Sequence, residues 1–167
     1  MIKTGLGQDS HRFVAAGQDK PLMLGGIHIE GCAGLDGNSD ADVVLHALTN
    51  AVSGVSTVPI LGAVSDRLCL EQGITDSRRY LAEALGTLGV YRLVHVSVSI
   101  EALRPKLAAH IVPMRASLAE LCGIELDAVA ITATTGEGLT GFGRGEGIQA
   151  LVIVTALRTP EHSGKLQ

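Results

Sequence analysis

The chain has 167 residues and a mass of 17.3 kDa, enough for one ordinary domain. It is 46% hydrophobic and 18% charged, with a mean hydropathy of +0.33, a balance that excludes intrinsic disorder. Its 13 Lys and Arg against 17 Asp and Glu give a net charge of −4, and aromatics make up only 2% with no Trp, so it has neither the basic face nor the stacking platform of a nucleic-acid binder.

Cys32, Cys69 and Cys122 form no CxxC, which points to a reducing compartment without a disulfide framework. The start, Met1-Ile2-Lys3-Thr4-Gly5, has no apolar leader core, and the longest apolar stretch, 148–157, falls far short of the ~20 residues of a membrane span. A soluble, cytoplasmic protein with no membrane partner is expected.

Residues 2–8 read as a short strand entering Asp9-Ser10-His11. Residues 22–29 read as a second strand, with Gly25-Gly26 marking a bulge or a close approach. Ser39, answered by Asp42 three residues on, reads as a capping pair that opens a helix running to about residue 52. Asp76 or Ser77 caps the next helix, which ends near 86–89. Val94, Val96, Val98 and Ile100 alternate with His95, Ser97, Ser99 and Glu101, the period of a strand with one buried face. Pro105 suits the first turn of a third helix, which Pro113 should kink or divide and Cys122-Gly123 should end. Val129, Ile131 and Ala133 form another strand, and a glycine-rich loop over 136–147 leads into a last strand over 148–157.

The order β-β-α-α-β-α-β-β predicts an α/β chain in a two-layer α+β arrangement, a four- to five-strand mixed sheet with helices on one face. No linker or repeat divides it. One domain is expected over 1–158, followed by a polar tail over 159–167. The bare face of such a sheet needs a cover, and an oligomer is the obvious candidate.

Asp9 and His11 share a direction on an extended chain and could offer two ligands to a divalent metal. D-x-H alone is common. On a helical wheel Val44, Leu45, Leu48, Ala51 and Val52 form one stripe and His46 falls opposite it, so His46 is either solvated or aimed at a site. Asp, His and His with an open fourth position is a donor set that catalytic zinc uses. Thr134-Thr135-Gly136-Glu137 leaves a strand into the glycine loop, which lacks the Gly-Lys-Ser/Thr of a P-loop. Its backbone amides, with Arg144 and two threonine hydroxyls, could hold phosphate, and Glu137 could hold a second hard cation. The alternative is a plain flexible hairpin loop. Arg104 and Lys106 at a helix start would oppose the dipole unless an anion docks there; otherwise they are solvated charges.

These residues together resemble the 2-C-methyl-D-erythritol 2,4-cyclodiphosphate synthase family of the non-mevalonate isoprenoid pathway. The resemblance runs from Gly5 to about Leu157. It rests on Asp9-Ser10-His11, Leu24-Gly25-Gly26-Ile27, Ser39-Asp40-Ala41-Asp42-Val43 with His46-Ala47, Asp76-Ser77, Pro105-Lys106, Ala133-Thr134-Thr135 with Glu137, and Gly143-Arg144-Gly145-Glu146-Gly147. It implies a phosphorus–oxygen lyase, a homotrimer with inward-facing sheets and active sites between subunits. The implied reaction closes 4-diphosphocytidyl-2-C-methyl-D-erythritol 2-phosphate into the cyclodiphosphate and expels CMP. By resemblance Asp9, His11 and His46 hold one zinc per subunit, and Glu137 contacts magnesium or manganese that comes with the substrate. Asn38, Ser39, Thr134, Thr135 and Arg144 would meet the phosphates, and Gly62 and Asp66 the erythritol. Ala102, Pro105, Lys106, Leu107 and Ala108 would line the cytidine pocket.

The chain departs from the family pattern at several points. Asn38 stands for a His, Ile60 for an Asp that contacts the erythritol hydroxyls, and Thr132 for a Lys. Residues 65–69 replace an F-P-D-x-D stretch, and the loop aromatic is displaced to Phe142. Asp66 is the acid within reach of Ile60's missing role. Two other readings stay open: a zinc phosphoesterase on another nucleotide diphosphate, and a non-catalytic trimeric ligand-binding homologue.

Overall fold

Gly5 and Gly7 stand on the inward face of the first strand, β1 (Ile2–Arg12), which continues through Asp9 and His11. A methyl at Gly5 would overlap the carbonyl oxygen of Ala51, and one at Gly7 that of Ala47. The helix α1 (Val43–Ser56) therefore lies directly on the strand backbone. The computed structural model describes residues 1–159. Within them β4 (Tyr91–Glu101), β5 (Val129–Thr134) and β6 (Gly147–Arg158) join β1 in one sheet, in the order β1-β6-β4-β5. β6 runs antiparallel to both neighbours and β4 pairs parallel with β5, which is the mixed four-stranded sheet expected.

One face of that sheet is dry. Ile148, Ala150, Val152 and Val154 of β6 and Val96, Val98 and Ile100 of β4 are buried beneath α1, α3 (Ser77–Gly86) and α4 (Ile111–Cys122). The other face stays open, with Leu6 65% and Ile153 50% exposed and paired across strands.

Four local expectations are corrected. The stretch 22–29 is not one strand. β2 (Pro21–Leu24) and β3 (Ile27–Ala33) form a separate hairpin whose turn is Gly25-Gly26, both at positive φ as a tight primed turn requires. Ser39 does not cap α1: its hydroxyl takes the Ala41 amide, and Ala41 sits at φ 55, where no helix can pass. Asp42 is the cap. Its buried carboxylate accepts the amides of Val44 and Leu45, and also those of Gly25 at 2.9 Å and Gly26 at 2.7 Å, so one side chain starts the helix and pins the hairpin. Pro105 opens no helix. It follows a cis peptide after Arg104, and α4 starts only at Ile111, beyond a 3-10 turn at Ala108–His110. Arg104 and Lys106 therefore face no helix dipole, and the anion site proposed on that ground loses its basis. Pro113 consequently falls in the first turn of α4, where its missing N–H has no intrahelical partner and causes no kink.

A short helix, α2 (Ala63–Asp66), runs into a wide π turn at Arg67–Glu71 between α1 and α3. Thr159 is held by two hydrogen bonds to the Val90 carbonyl; the rest of the expected polar tail, 160–167, lies outside the described residues. Among the described residues no helix is long and apolar enough to cross a membrane.

Gly7→Ala should force α1 off β1, since the neighbouring atom is backbone and cannot swing away. We expect a loss of about 2–3 kcal/mol or more in denaturant unfolding, the scale of a badly overpacked site. Gly54→Ala, whose new methyl would meet its nearest neighbour only at ordinary contact distance, 3.4 Å, is the control. Equal stabilities for the two variants would refute the close contact.

Candidate metal centre

Helix and strand keep step where they touch. Four residues of α1 advance about 6 Å and two residues of β1 about 6.6 Å, so Ala51 over Gly5 and Ala47 over Gly7 bring the next turn of the helix over Asp9. His46 arrives there. Its Nδ1 lies 3.0 Å from Asp9 Oδ2, His11 Nε2 lies 2.9 Å from the same oxygen, and the two nitrogens are 3.3 Å apart. One ligand atom from each residue falls within 4.8 Å of the others.

His46 is off the core stripe, as the wheel implied, yet it is only 9% exposed because α3 closes over it, with the Tyr80 ring 6.0 Å away. Burial alone would raise the pKa of Asp9, but hydrogen bonds and charge from His11 and His46 outweigh it and hold it at about 2. His11 is shifted up, chiefly by its bond to Asp9 against the opposing cost of burial, with the Asp36 backbone as a further partner. A carboxylate and two imidazoles converging on one point fit a tetrahedral cation that keeps one position open.

The open side is a cavity of about 270 Å³. Asn38, Ser39 and Asp66 line it together with His11 and His46, and Gly62 stands at the cap of the short helix that carries Asp66. Ile60 does not reach it: the side chain is 5% exposed and packed in the core. Sequence reading missed Tyr80 and Cys69 on the cavity wall, and it saw Ser77, now against His46, only as a helix cap. Position along α3 could have flagged Tyr80, one turn after Ser77; nothing local flagged Cys69.

The other implied residues gather elsewhere. Thr134, Thr135 and Glu137 leave β5, the edge opposite β1, with two strands and about 14 Å between. The Ala102 amide donates to the Thr134 carbonyl, which joins the stretch 102–108 to that edge. Ala102 and Leu107 are buried, Pro105 is half-buried, and Lys106 and Ala108 are exposed. None of these residues lines the cavity beside the triad. Glu137 adopts φ 51 between Gly136 and Gly138, a left-handed backbone rare for a glutamate, which is the kind of strain found at functional loops. In the glycine loop the amides of Leu139, Gly143, Arg144, Gly145 and Glu146 bond to other loop atoms and that of Gly136 to the Thr134 hydroxyl, and the Arg144 guanidinium pairs with Glu146 at 2.9 Å.

Protons and metal compete for His11. Its pKa stands above the ordinary 6.5, so the metal-free Asp9–His11 pair is strongest below that value and fades as pH rises through the raised one. Asp9 stays ionised down to about 2 and does not drive release. Zinc affinity, followed by chelator competition, should therefore fall as pH drops through the raised His11 value, approaching tenfold per unit once His11 is protonated. A flat profile would remove His11 from the ligand set.

Residues 2–157 match the model of the YgbB family. The 2-C-methyl-D-erythritol 2,4-cyclodiphosphate synthase of Chlamydia muridarum is 47% identical over 158 residues, 94% of this chain and 89% of the relative. That of Chlamydia trachomatis serovar L2b is 46% identical over the same shares. Among solved structures, a 2C-methyl-D-erythritol-2,4-cyclodiphosphate synthase superposes with a TM-score of 0.82 at 29% identity, over 93% of this chain and 100% of that one. A CDP-bound form gives 0.77 at 28% identity over the same shares. The bifunctional IspDF of Campylobacter jejuni gives 0.86 at 28% identity over 95% of this chain, which spans only 43% of that longer protein. The chain belongs to the YgbB family, the family of the 2-C-methyl-D-erythritol 2,4-cyclodiphosphate synthases.

Proposed function

We propose that this chain converts 4-diphosphocytidyl-2-C-methyl-D-erythritol 2-phosphate into 2-C-methyl-D-erythritol 2,4-cyclodiphosphate and CMP. The observation that carries the reading is the Asp9–His11–His46 cluster opening onto a polar cavity, in a chain whose curated relatives bear that activity by name. In the reaction an oxygen of the 2-phosphate attacks the β-phosphorus. The bond from that phosphorus to the bridging oxygen breaks, and CMP leaves with the electron pair. The attacking phosphate is already ionised at neutral pH, so the task is to hold anions together and in line. Zinc on Asp9, His11 and His46 and magnesium or manganese at Glu137 would supply the positive charge for this.

The remaining work falls to the chain itself. Asn38 and Ser39 face the cavity as hydrogen-bond donors to phosphate. Asp66, on the cavity wall, would accept from erythritol hydroxyls beside the backbone of Gly62. Thr134 and Thr135 would hold the diphosphate, Arg144 would add charge from the loop edge, and Ala102, Pro105, Lys106, Leu107 and Ala108 would receive cytosine.

Thr134, Thr135 and Glu137 leave the sheet two strands away from the triad, which supports a working site that draws them from a second copy. The uncovered face of Leu6, Leu151 and Ile153 supports a homotrimer packed sheet to sheet. Three free cysteines support the reducing cytoplasm as its compartment.

Purified protein with zinc and magnesium should release CMP and cyclic product one for one. Release of inorganic phosphate instead would replace this reading with hydrolysis. The shared site has its own test. His46→Ala and Glu137→Gln should each be inactive alone. Mixed one to one and reassembled, they should regain about a quarter of the sites, because a site is intact when each neighbour brings its sound half. Mixed assemblies that stay dead would confine the site to one subunit.

A further inference from the structure

The ring of His46 is gripped on both nitrogens. Nδ1 faces Asp9 and His11, while Nε2 lies 2.8 Å from the hydroxyl oxygen of Ser77, a fully buried side chain at the first residue of α3. A neutral imidazole has one N–H and one lone pair, and only a nitrogen with the lone pair can bind a cation. The arrangement is useful to a metal only if the proton sits on Nε2.

Before a cation arrives, the Asp9 carboxylate, 3.0 Å from Nδ1, competes for that proton; once a cation takes Nδ1 the proton must go to Nε2, and the near acceptor there is Ser77. Its hydroxyl makes a short hydrogen bond to Asp40 Oδ1, and its backbone amide donates to Asp40 Oδ2 at 3.0 Å. The Asp42 amide also donates to Asp40 Oδ1, at 3.2 Å. Asp40 is surrounded by donors and acts as a carboxylate acceptor, so the Ser77 hydroxyl hydrogen must point at Asp40. Ser77 Oγ then has only lone pairs left for His46. The competing hydroxyl, Ser39, stands 3.4 Å from Nε2 and receives the Ala41 amide, too far to reverse the order.

We infer that Asp40 and Ser77 are positioning residues: Asp40 orients the Ser77 hydroxyl, and Ser77 accepts the Nε2 proton of His46 when Nδ1 takes the cation. This rests on the metal reading of the triad and deepens it. Neither residue is a ligand. Capping of α3 does not account for the pair, because Asp76 already takes the Arg78 amide at the start of that helix. The chain goes further to hold the two together: the Asp40 amide donates to the Thr75 carbonyl at 2.8 Å, which fixes the approach to α1 against the approach to α3.

The direct test needs no variant. Long-range proton–nitrogen NMR on zinc-loaded wild-type protein should find the His46 proton on Nε2. In Ser77→Ala the Nε2 proton of the metal-bound ring loses its near acceptor, while Asp9 still holds the Nδ1 proton of the metal-free ring. Zinc affinity by chelator competition should then weaken about 10- to 100-fold, the usual effect of removing the partner of a metal-binding imidazole. Ser77→Thr, which keeps a hydroxyl, should recover much of it if it folds. A His46 proton on Nδ1 in the zinc-loaded wild type overturns the inference, and so does a folded Ser77→Ala that binds zinc as tightly as wild type. Wild type that binds no zinc would instead sink the metal reading on which this inference rests.

Discussion

The whole arrangement depends on how closely α1 approaches β1. Two glycines on the inward face of the strand let the carbonyls of Ala47 and Ala51 rest on its backbone. Any side chain there would hold the helix about a methyl's width further out, and His46 could not come within 3.0 Å of Asp9. The alternation that places Gly5 and Gly7 inward also turns Asp9 and His11 to that side, so one period-two register provides both the contact and the ligands. Fold and site are the same packing decision at this point.

A second consequence is that order is imported into the site from its surroundings. Asp42 is buried and accepts four backbone amides, two from the start of α1 and two from the Gly25-Gly26 turn. Burial pushes its pKa up, and those amides work against the shift. His11 is backed by the loop at Asp36 and Gly37, and Lys20 holds the Gly37 carbonyl. Each ligand therefore stands on a segment that is itself tied down by hydrogen bonds. That preorganisation matters for a reaction between anions, where position and fixed charge make up most of the task.

Much of this was legible from the residues. The period-two strands, the caps at Asp76 and the close of α4 at Gly123 were local signals, and the structure follows them. The helical wheel placed His46 off the core stripe, but it had no means of showing that α3 would bury the opposite face. That is long-range information, carried by Ser77 and Tyr80 some 30 residues away in the chain. Ser39 looked like a cap because the capping-box spacing was right; the positive φ of Ala41, invisible in a non-glycine residue, moved the helix start to Asp42. Pro105 looked like a first-turn proline because composition cannot tell a helix start from a turn.

The departures at 60–72 gain a different meaning in three dimensions. Read along the chain, Ile60 is a lost acid, and Ile60→Asp is the natural repair. In the fold Ile60 is a core residue at 5% exposure, and a carboxylate put there would lose water with no cation beside it, a cost of several kcal/mol. Its carbonyl does the local work instead, accepting the Ser65 amide and starting the turn that carries Asp66. Ser65 closes the same turn by exchanging hydrogen bonds with the Gly62 backbone. The wide π turn that follows puts Cys69 against the Asn38 carbonyl at 3.2 Å, so the replaced stretch is tied to the loop that bears Asn38. The two substitutions thus belong to one rebuilt wall of the cavity. The apolar side chain at 60 anchors in the core the segment that presents Asp66 to the cavity.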